Sequence, residues 1–234
     1  FTIASSTGTQ LLTVTQAGNV GIGTSSPISR LSVSGGNVNV SGASSTAYMI
    51  EGSAVLHAQG SNNIFVGGSS ALNTTGGNNV TVGYTAGFGL SSGDKNVFVG
   101  SVSGYGNTAG TSNVYIGYAA GTTGSGSSNV FIGESAGSPV GATSYNVIIG
   151  QDSAKSKTSG NNNVIIGSQA GYSSGSSASG VFLGYQAGYN ETSSNKLYIA
   201  NNLTSTLLYG DFSSGYVNIN GTNTAITLAV KGLS

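Results

Sequence analysis

Between residues 63 and 188 a nine-residue phrase recurs eight times: Asn, aliphatic, any residue, aliphatic, Gly, two residues of any kind, Ala or Ser, then Gly or Ala. Its clearest copies read NVYIGYAAG (113–121), NVFIGESAG (129–137) and NVIIGSQAG (163–171). The central glycines are Gly67, Gly83, Gly100, Gly117, Gly133, Gly150, Gly167 and Gly184, spaced by 16, 17, 17, 16, 17, 17 and 17 residues. A ninth, decayed copy follows at 197–200. A period this regular implies stacked units of one kind. Composition points the same way. With 40 glycines and only 37% hydrophobic residues among 234, the chain is poorly supplied for one globular core with packed helices. It can stack short strands, whose flat faces need few large side chains. The expected fold class is therefore all-β, a β-solenoid of 16–17 residues per coil.

Inside each phrase the apolar residues keep a period of two, the signature of a strand. The first and third strand positions are β-branched in Val80/Val82, Val97/Val99, Val114/Ile116, Val130/Ile132, Val147/Ile149 and Val164/Ile166. The position between them points the other way and is also mostly large and apolar: Phe65, Thr81, Phe98, Tyr115, Phe131, Ile148, Ile165 and Phe182. A strand buried on one face would alternate apolar with polar, so these strands read as buried on both. One ladder can fill the coil. The other needs a cover that this chain does not supply, and the simplest cover is further copies of the same chain.

The rest of the phrase has physical roles. The central glycine permits a backbone conformation, or a close approach, that a Cβ would block. The residue three places on (Ser70, Ala86, Ser103, Ala120, Ala136, Ser153, Ala170, Ala187) is small enough to leave room for a neighbour. The leading Asn stands in seven of the eight copies, among them Asn79, Asn96, Asn113, Asn129, Asn146 and Asn163, with Gly180 as the exception. Asn suits left-handed backbone, and stacked Asn amides can bond from coil to coil. The remaining seven or eight residues of each period are rich in Gly, Ser, Thr and Asn. They are expected to be solvent-facing loops stacked along one side.

Outside the repeats the chain divides into an N-terminal β module (1–35), a transitional β-hairpin (36–60), the repeats (61–200) and a C-terminal β module (201–234). In the first, Leu12/Val14, Val20/Ile22 and Leu31/Val33 alternate between turn residues, which predicts three short strands. A shift of 197 residues lays Val217/Ile219 on Val20/Ile22 and Leu228/Val230 on Leu31/Val33, so the two ends carry the same module. Such terminal units are expected to cover strand edges that an open stack would leave unpaired. In the hairpin, a strand from Ala47, a turn at Gly52 and a second strand at Ala54 to Leu56 lead into the first coil. The chain starts at Phe1 with no initiator Met or signal peptide, and reads as an excised or processed piece of something longer.

Charge and chemistry exclude several classes. Net charge is zero and only 5% of residues are charged, which makes nucleic acid and anionic membranes poor partners. No apolar run is long enough to span a bilayer. Cysteine is absent, so disulfides and thiolate metal sites are out, in keeping with an extracellular location. The lone His57 has no context of a ligand or base, and no metal or cofactor is expected. Glu134 and Asp152 follow the central glycines of adjacent coils. Paired carboxylates can hydrolyse glycosides, but nothing around these two suggests a raised pKa, and they read as solvated acids. Aromatics are the one feature with a binding role to weigh. Tyr84, Tyr118 and Tyr185 directly follow the central glycine, while Phe88, Tyr105, Tyr172 and Tyr189 come five places after it. Aromatic ladders beside polar loops can stack on sugar rings; the plainer reading is packing over the next coil or between chains.

The Asn-Val-x-Ile-Gly-x-x-Ala-Gly phrase resembles the head repeats of YadA-like trimeric autotransporter adhesins, and residues 18–35 (GNVGIGTSSPISRLSVSG) are similar to segments of phage tail fibres and long bacterial surface proteins. The resemblance implies left-handed parallel β-rolls from three chains around one axis. The family's repeat is usually about 14 residues, shorter than the 16–17 found here, and neither its heptad stalk nor its membrane-anchor barrel is seen in this sequence. The expected function is a non-enzymatic structural and adhesive segment of an extracellular filament at a cell or virion surface. Its expected partners are itself, as a homotrimer with end-to-end continuation, and a cell-surface glycan or protein. Two alternatives come from other classes. A tail-spike-like polysaccharide depolymerase would need a carboxylate cluster in a groove. An ice-binding solenoid would need Thr in register, where these strands carry aliphatic and aromatic residues.

Overall fold

The structure is a computed structural model that describes residues 1–4, 10–34, 46–50, 53–58, 60–71, 74–139 and 141–219. Among these there is no helix; every regular element is a strand. The chain forms two compact units, Phe1–Ala43 and Ser44–Ser234.

The first unit is a four-stranded sheet in the order β1 (Thr2–Ala4), β2 (Gln10–Val14), β3 (Val20–Ile22), β4 (Leu31–Val33). The alternating residues at 12–14, 20–22 and 31–33 lie on strands, and β1 adds a fourth that alternation did not signal. The pairs β1–β2 and β2–β3 are antiparallel, whereas β3–β4 is parallel. Little of this sheet is enclosed. Ile3, Leu11, Ile22 and Leu31 all lie on its strands and are all exposed.

The second unit is a 13-stranded sheet. It opens with an antiparallel hairpin, β5 (Thr46–Ile50) and β6 (Ser53–Ala58), and β6 pairs antiparallel with β7 (Ile64–Val66). The side chains of Met49 and His57 fall outside the described residues, as do the strand-like segment at 35–42 and Leu228/Val230. From β7 the chain winds a parallel β-solenoid of about eight turns. Its strands are β8 (Val80–Val82), β9 (Val97–Val99), β10 (Val114–Ile116), β11 (Val130–Ile132), β12 (Val147–Ile149), β13 (Val164–Ile166), β14 (Val181–Leu183) and β15 (Lys196–Ala200). Every step pairs in strict register: Tyr115 stands on Phe131, Phe131 on Ile148, Ile148 on Ile165. The decayed ninth copy therefore supplies a full rung, β15. The chain then reverses into antiparallel β16 (Thr206–Asp211) and β17 (Tyr216–Ile219).

The middle ladder fills the coil. Phe65, Thr81, Phe98, Tyr115, Phe131, Ile148, Ile165 and Phe182 are all buried, and Ala71, Ala120, Ala136, Ala154, Ala170 and Ala187 complete the same cluster. The small residue three places after the central glycine is buried in every coil because it forms the opposite wall of a narrow interior. Aromatic rungs stack face to face inside it: Phe98 on Tyr115 at 5.0 Å and Tyr115 on Phe131 at 4.7 Å between ring centroids. The β-branched ladder lies on the outer face. Its members are only half-buried, and Ile64, Ile116 and Ile166 are exposed. The expectation of burial on both faces thus fails within one chain.

The ladder Asn residues are buried and bond as the phrase suggested. Asn113 Oδ1 accepts from the backbone N–H of Asn129 at 3.0 Å and from its Nδ2 at 3.1 Å. The same side chain donates across its own coil, from Nδ2 to the Gly126 carbonyl at 2.8 Å. The ladder Asn residues thus tie coil to coil, and all but Asn146, whose Nδ2 donates to the Ser144 carbonyl, also bond across their own coil. The left-handed conformation falls one residue earlier than expected, at Asn62, Asn78, Lys95, Ser112, Ser128, Tyr145, Asn162 and Ser179, with φ between 55° and 61°. The turn must be completed there so that the Asn side chain can face inward. At the central glycine both sequence arguments apply: Gly83 has φ +137°, and a Cβ on it would stand 2.7 Å from the carbonyl carbon of Gly100 in the next coil.

The variable segments are more than solvent-facing loops, which corrects that expectation. Leu90, Asn107, Lys157 and Ser174 all stand seven places after a central glycine, and all are buried. Their surroundings are solenoid interior, so the loop closes the coil as well as facing water.

Candidate functional site

The surface offers two features: the outer β-branched ladder, and aromatic side chains along one flank. The ladder carries apolar side chains at matching positions on every rung from β7 to β14, so whatever contacts one rung can contact each in the same way. The aromatics sort by position. Tyr84, Tyr118 and Tyr185 are exposed, and among the described residues no ring contact joins them. Ser101 occupies the coil between the first two, which separates them by about 10 Å, two strand spacings. The residues five places after the central glycine do meet. Phe88 stacks on Tyr105 at 5.2 Å and 9°, and Tyr172 on Tyr189 at 4.9 Å and 2°. Between these two stacks the same position holds Thr122, Ser138 and Lys155. Thr122 and Ser138 share a hydrogen bond, and Lys155 pairs with Asp152 at 2.6 Å. Tyr145, whose place before a ladder Asn drew no attention in the sequence, is 65% exposed in left-handed conformation.

The acids singled out by sequence are engaged separately. Asp152 holds Lys155, and Glu134 accepts from Gln151 Nε2 at 3.4 Å. Bonding to Asp152 raises the pKa of Lys155. Among the described residues no group of three or more His, Cys, Asp or Glu could hold a metal ion, and no helix is long and apolar enough to cross a membrane.

Two buried polar groups escaped the sequence reading. Lys157 lies inside the solenoid, where its Nζ donates to the Ser177 carbonyl and to Ser177 Oγ at 3.1 Å. Burial pulls its pKa down to about 8. The clue was positional, since Leu90 fills the same place in an earlier coil. The Tyr115 hydroxyl is pushed up to about 12 by burial, partly offset by the neighbouring Asn129 and Asn107 side chains.

At the last coil, Glu191 Oε2 accepts from the Tyr198 hydroxyl at 2.6 Å, and Glu191 Oε1 accepts from the Ser193 backbone N–H at 2.7 Å. Burial, then the bond to Glu191, holds the Tyr198 phenol well above its usual range. Glu191 and Tyr198 border a cleft of about 220 Å³. Nearby, Lys196 and Asp211 pair at 2.7 Å across β15 and β16, which raises the lysine pKa and lowers that of the acid.

Comparison with protein-family models, with curated proteins and with solved structures gives no match to this chain.

Proposed function

We propose that this chain is a structural and adhesive segment of an extracellular filament, a surface adhesin or a phage tail fibre, in which three copies associate as left-handed parallel β-rolls. The observation that carries the proposal is the outer ladder. Apolar side chains repeat on it in strict register, half-buried in the isolated chain, directly over a filled interior. Burying such a ladder contributes about 25 cal/mol per Å² of apolar surface. A repeated patch is best buried against identical patches under cyclic symmetry. Resemblance of the phrase to the heads of YadA-like adhesins supports three as the number. The hairpin before the coils and the reversed strands after them would serve as caps, covering edges that invite unwanted pairing. The solenoid would then be a rigid spacer about 40 Å long, at one coil per strand spacing. Attachment to a cell-surface glycan or protein would fall to its flanks and ends.

The test is native mass by light scattering on a sizing column. One chain weighs 22.9 kDa. A species of three times that mass is expected, and replacing outer Val130 and Ile132 with Thr should dissociate it while leaving the strand spectrum unchanged. A monomer at micromolar concentration would overturn the proposal.

A further inference from the structure

Where the coil stack ends, it leaves an aromatic ring without a following rung. Tyr189 lies flat on Tyr172, its one ring partner among the described residues. The next position in that series is Ser205, in the turn that carries the chain back into β16. The cleft opens at this point. Besides Tyr189 it is lined by Tyr198, Glu191, Gln186, Asn190 and Thr206.

We infer that this cleft binds a single neutral pyranose unit of a glycan, with the Tyr189 ring as stacking platform and Glu191 as the fixed acceptor for sugar hydroxyls. Four observations carry this. The ring stacks on its neighbour at 2° interplanar angle, so the C–H face of a sugar ring meets a preformed surface. The Glu191 carboxylate is oriented by two bonds, from Tyr198 and Ser193, and each oxygen keeps acceptor capacity for a ligand hydroxyl. Gln186 is oriented too: its Nε2 donates to Gln169 at 2.8 Å, which leaves its carbonyl oxygen to accept. Size agrees, because the cleft falls below the roughly 300–1,000 Å³ of sites for larger ligands and is on the scale of one sugar ring. The carboxylate disfavours acidic sugars. A quaternary ammonium ion would prefer a cage of several aromatic faces, whereas only Tyr189 and Tyr198 among the lining residues are aromatic.

All of these residues belong to one chain, so the inference goes beyond the proposed assembly and is read independently of native mass. The experiment is saturation-transfer NMR on the purified chain. The probes are the methyl glycosides of glucose, galactose, mannose and N-acetylglucosamine, with methyl glucuronide and tetramethylammonium as contrasts. Transfer to at least one neutral glycoside at millimolar concentration is expected, strongest at the C–H protons of one ring face. Tyr189→Leu removes the flat ring and Glu191→Gln removes the charge while keeping the shape; each should weaken binding about five- to tenfold. Tyr84→Ala, on an exposed tyrosine remote from the cleft in sequence, should leave it unchanged. Absence of transfer to every neutral glycoside overturns the inference. So does a signal that survives both cleft variants, or transfer to tetramethylammonium alone.

Discussion

In the coil stack the middle residue of each strand from β7 to β14 is shut away from water, at 0–2% exposure, whereas strand residues of the four-stranded sheet stand about half exposed: Ile3 at 46%, Leu11 at 50%, Ile22 at 45%, Leu31 at 60%. The side chains are of similar kinds. What differs is geometry. A residue inside the solenoid has a rung above, a rung below and a wall of Ala, Ser and Gly across a narrow interior. Among the described residues, the sheet of β1–β4 has four short strands and buries little beyond Thr13, Gly21 and Pro27. Repetition, more than hydrophobicity per residue, makes the core, as expected when each unit is stabilised chiefly by its neighbours.

The hardest test of that contrast uses glycines. Gly117 has φ +135°, and a Cβ on it would meet the Gly133 carbonyl oxygen at 2.5 Å; Gly18, in the sheet unit, has φ +79° with nothing within 4 Å. Gly117→Val should cost about 4 kcal/mol or more by urea unfolding, while Gly18→Ala should cost about 1 kcal/mol. Equal losses would mean that coil contact is not what fixes the central glycine.

Truncation gives the next largest difference. Phe131→Ala should lose about 3–5 kcal/mol. Ile22→Ala should lose under about 1 kcal/mol in the isolated chain, since little of its area leaves water. Comparable midpoints for the two variants would show that the sheet is covered by something else in solution.

Lys157 is the one charged side chain buried among the described residues. Its folded pKa, near 8, lies below the ordinary 10.5, so the unfolded chain binds more protons between those values. Stability should therefore rise with pH from 8 toward 10, by about 1–3 kcal/mol, before unfolded tyrosines begin to ionise. Below pH 8 the full penalty is present. Lys157→Leu, which copies Leu90, should raise the midpoint at pH 7 and flatten the pH profile. A lower midpoint would mean that the bonds to Ser177 outweigh burial of the charge.

The smallest effect lies at Asn107. Its Oδ1 accepts from the Gly110 N–H at 2.9 Å, while its Nδ2 is buried with no hydrogen-bond partner. Asn107→Leu, which copies Leu90, loses one bond and relieves one unpaired buried donor, so it should cost under about 1 kcal/mol by urea unfolding. A loss above about 2 kcal/mol would argue that the amide nitrogen is satisfied in solution.

Much of this architecture is legible in the sequence because each coil repeats one set of constraints. The 16–17-residue period locates the strands, Asn at the phrase start marks an amide that can bond from coil to coil, and the glycine after the strand marks a backbone conformation or close approach that a Cβ would block. Other features were not legible. Seven places after a glycine, Lys157 reads as a loop lysine until the loop is seen to close the coil. The pair of Glu191 and Tyr198 gains meaning only where the ninth rung ends and the chain turns back, an event with no repeating signal.

The sequence by itself determined that strands stack in register and that each has two unlike apolar faces, since a period of two separates faces without ranking them. Only the tertiary structure decided which face is enclosed. Left-handed residues before each Asn and positive-φ glycines after each strand bend the chain toward the aromatic side, which places the large rings inside and leaves the β-branched ladder outside. That choice comes from backbone curvature summed over a whole coil, and no single side chain encodes it.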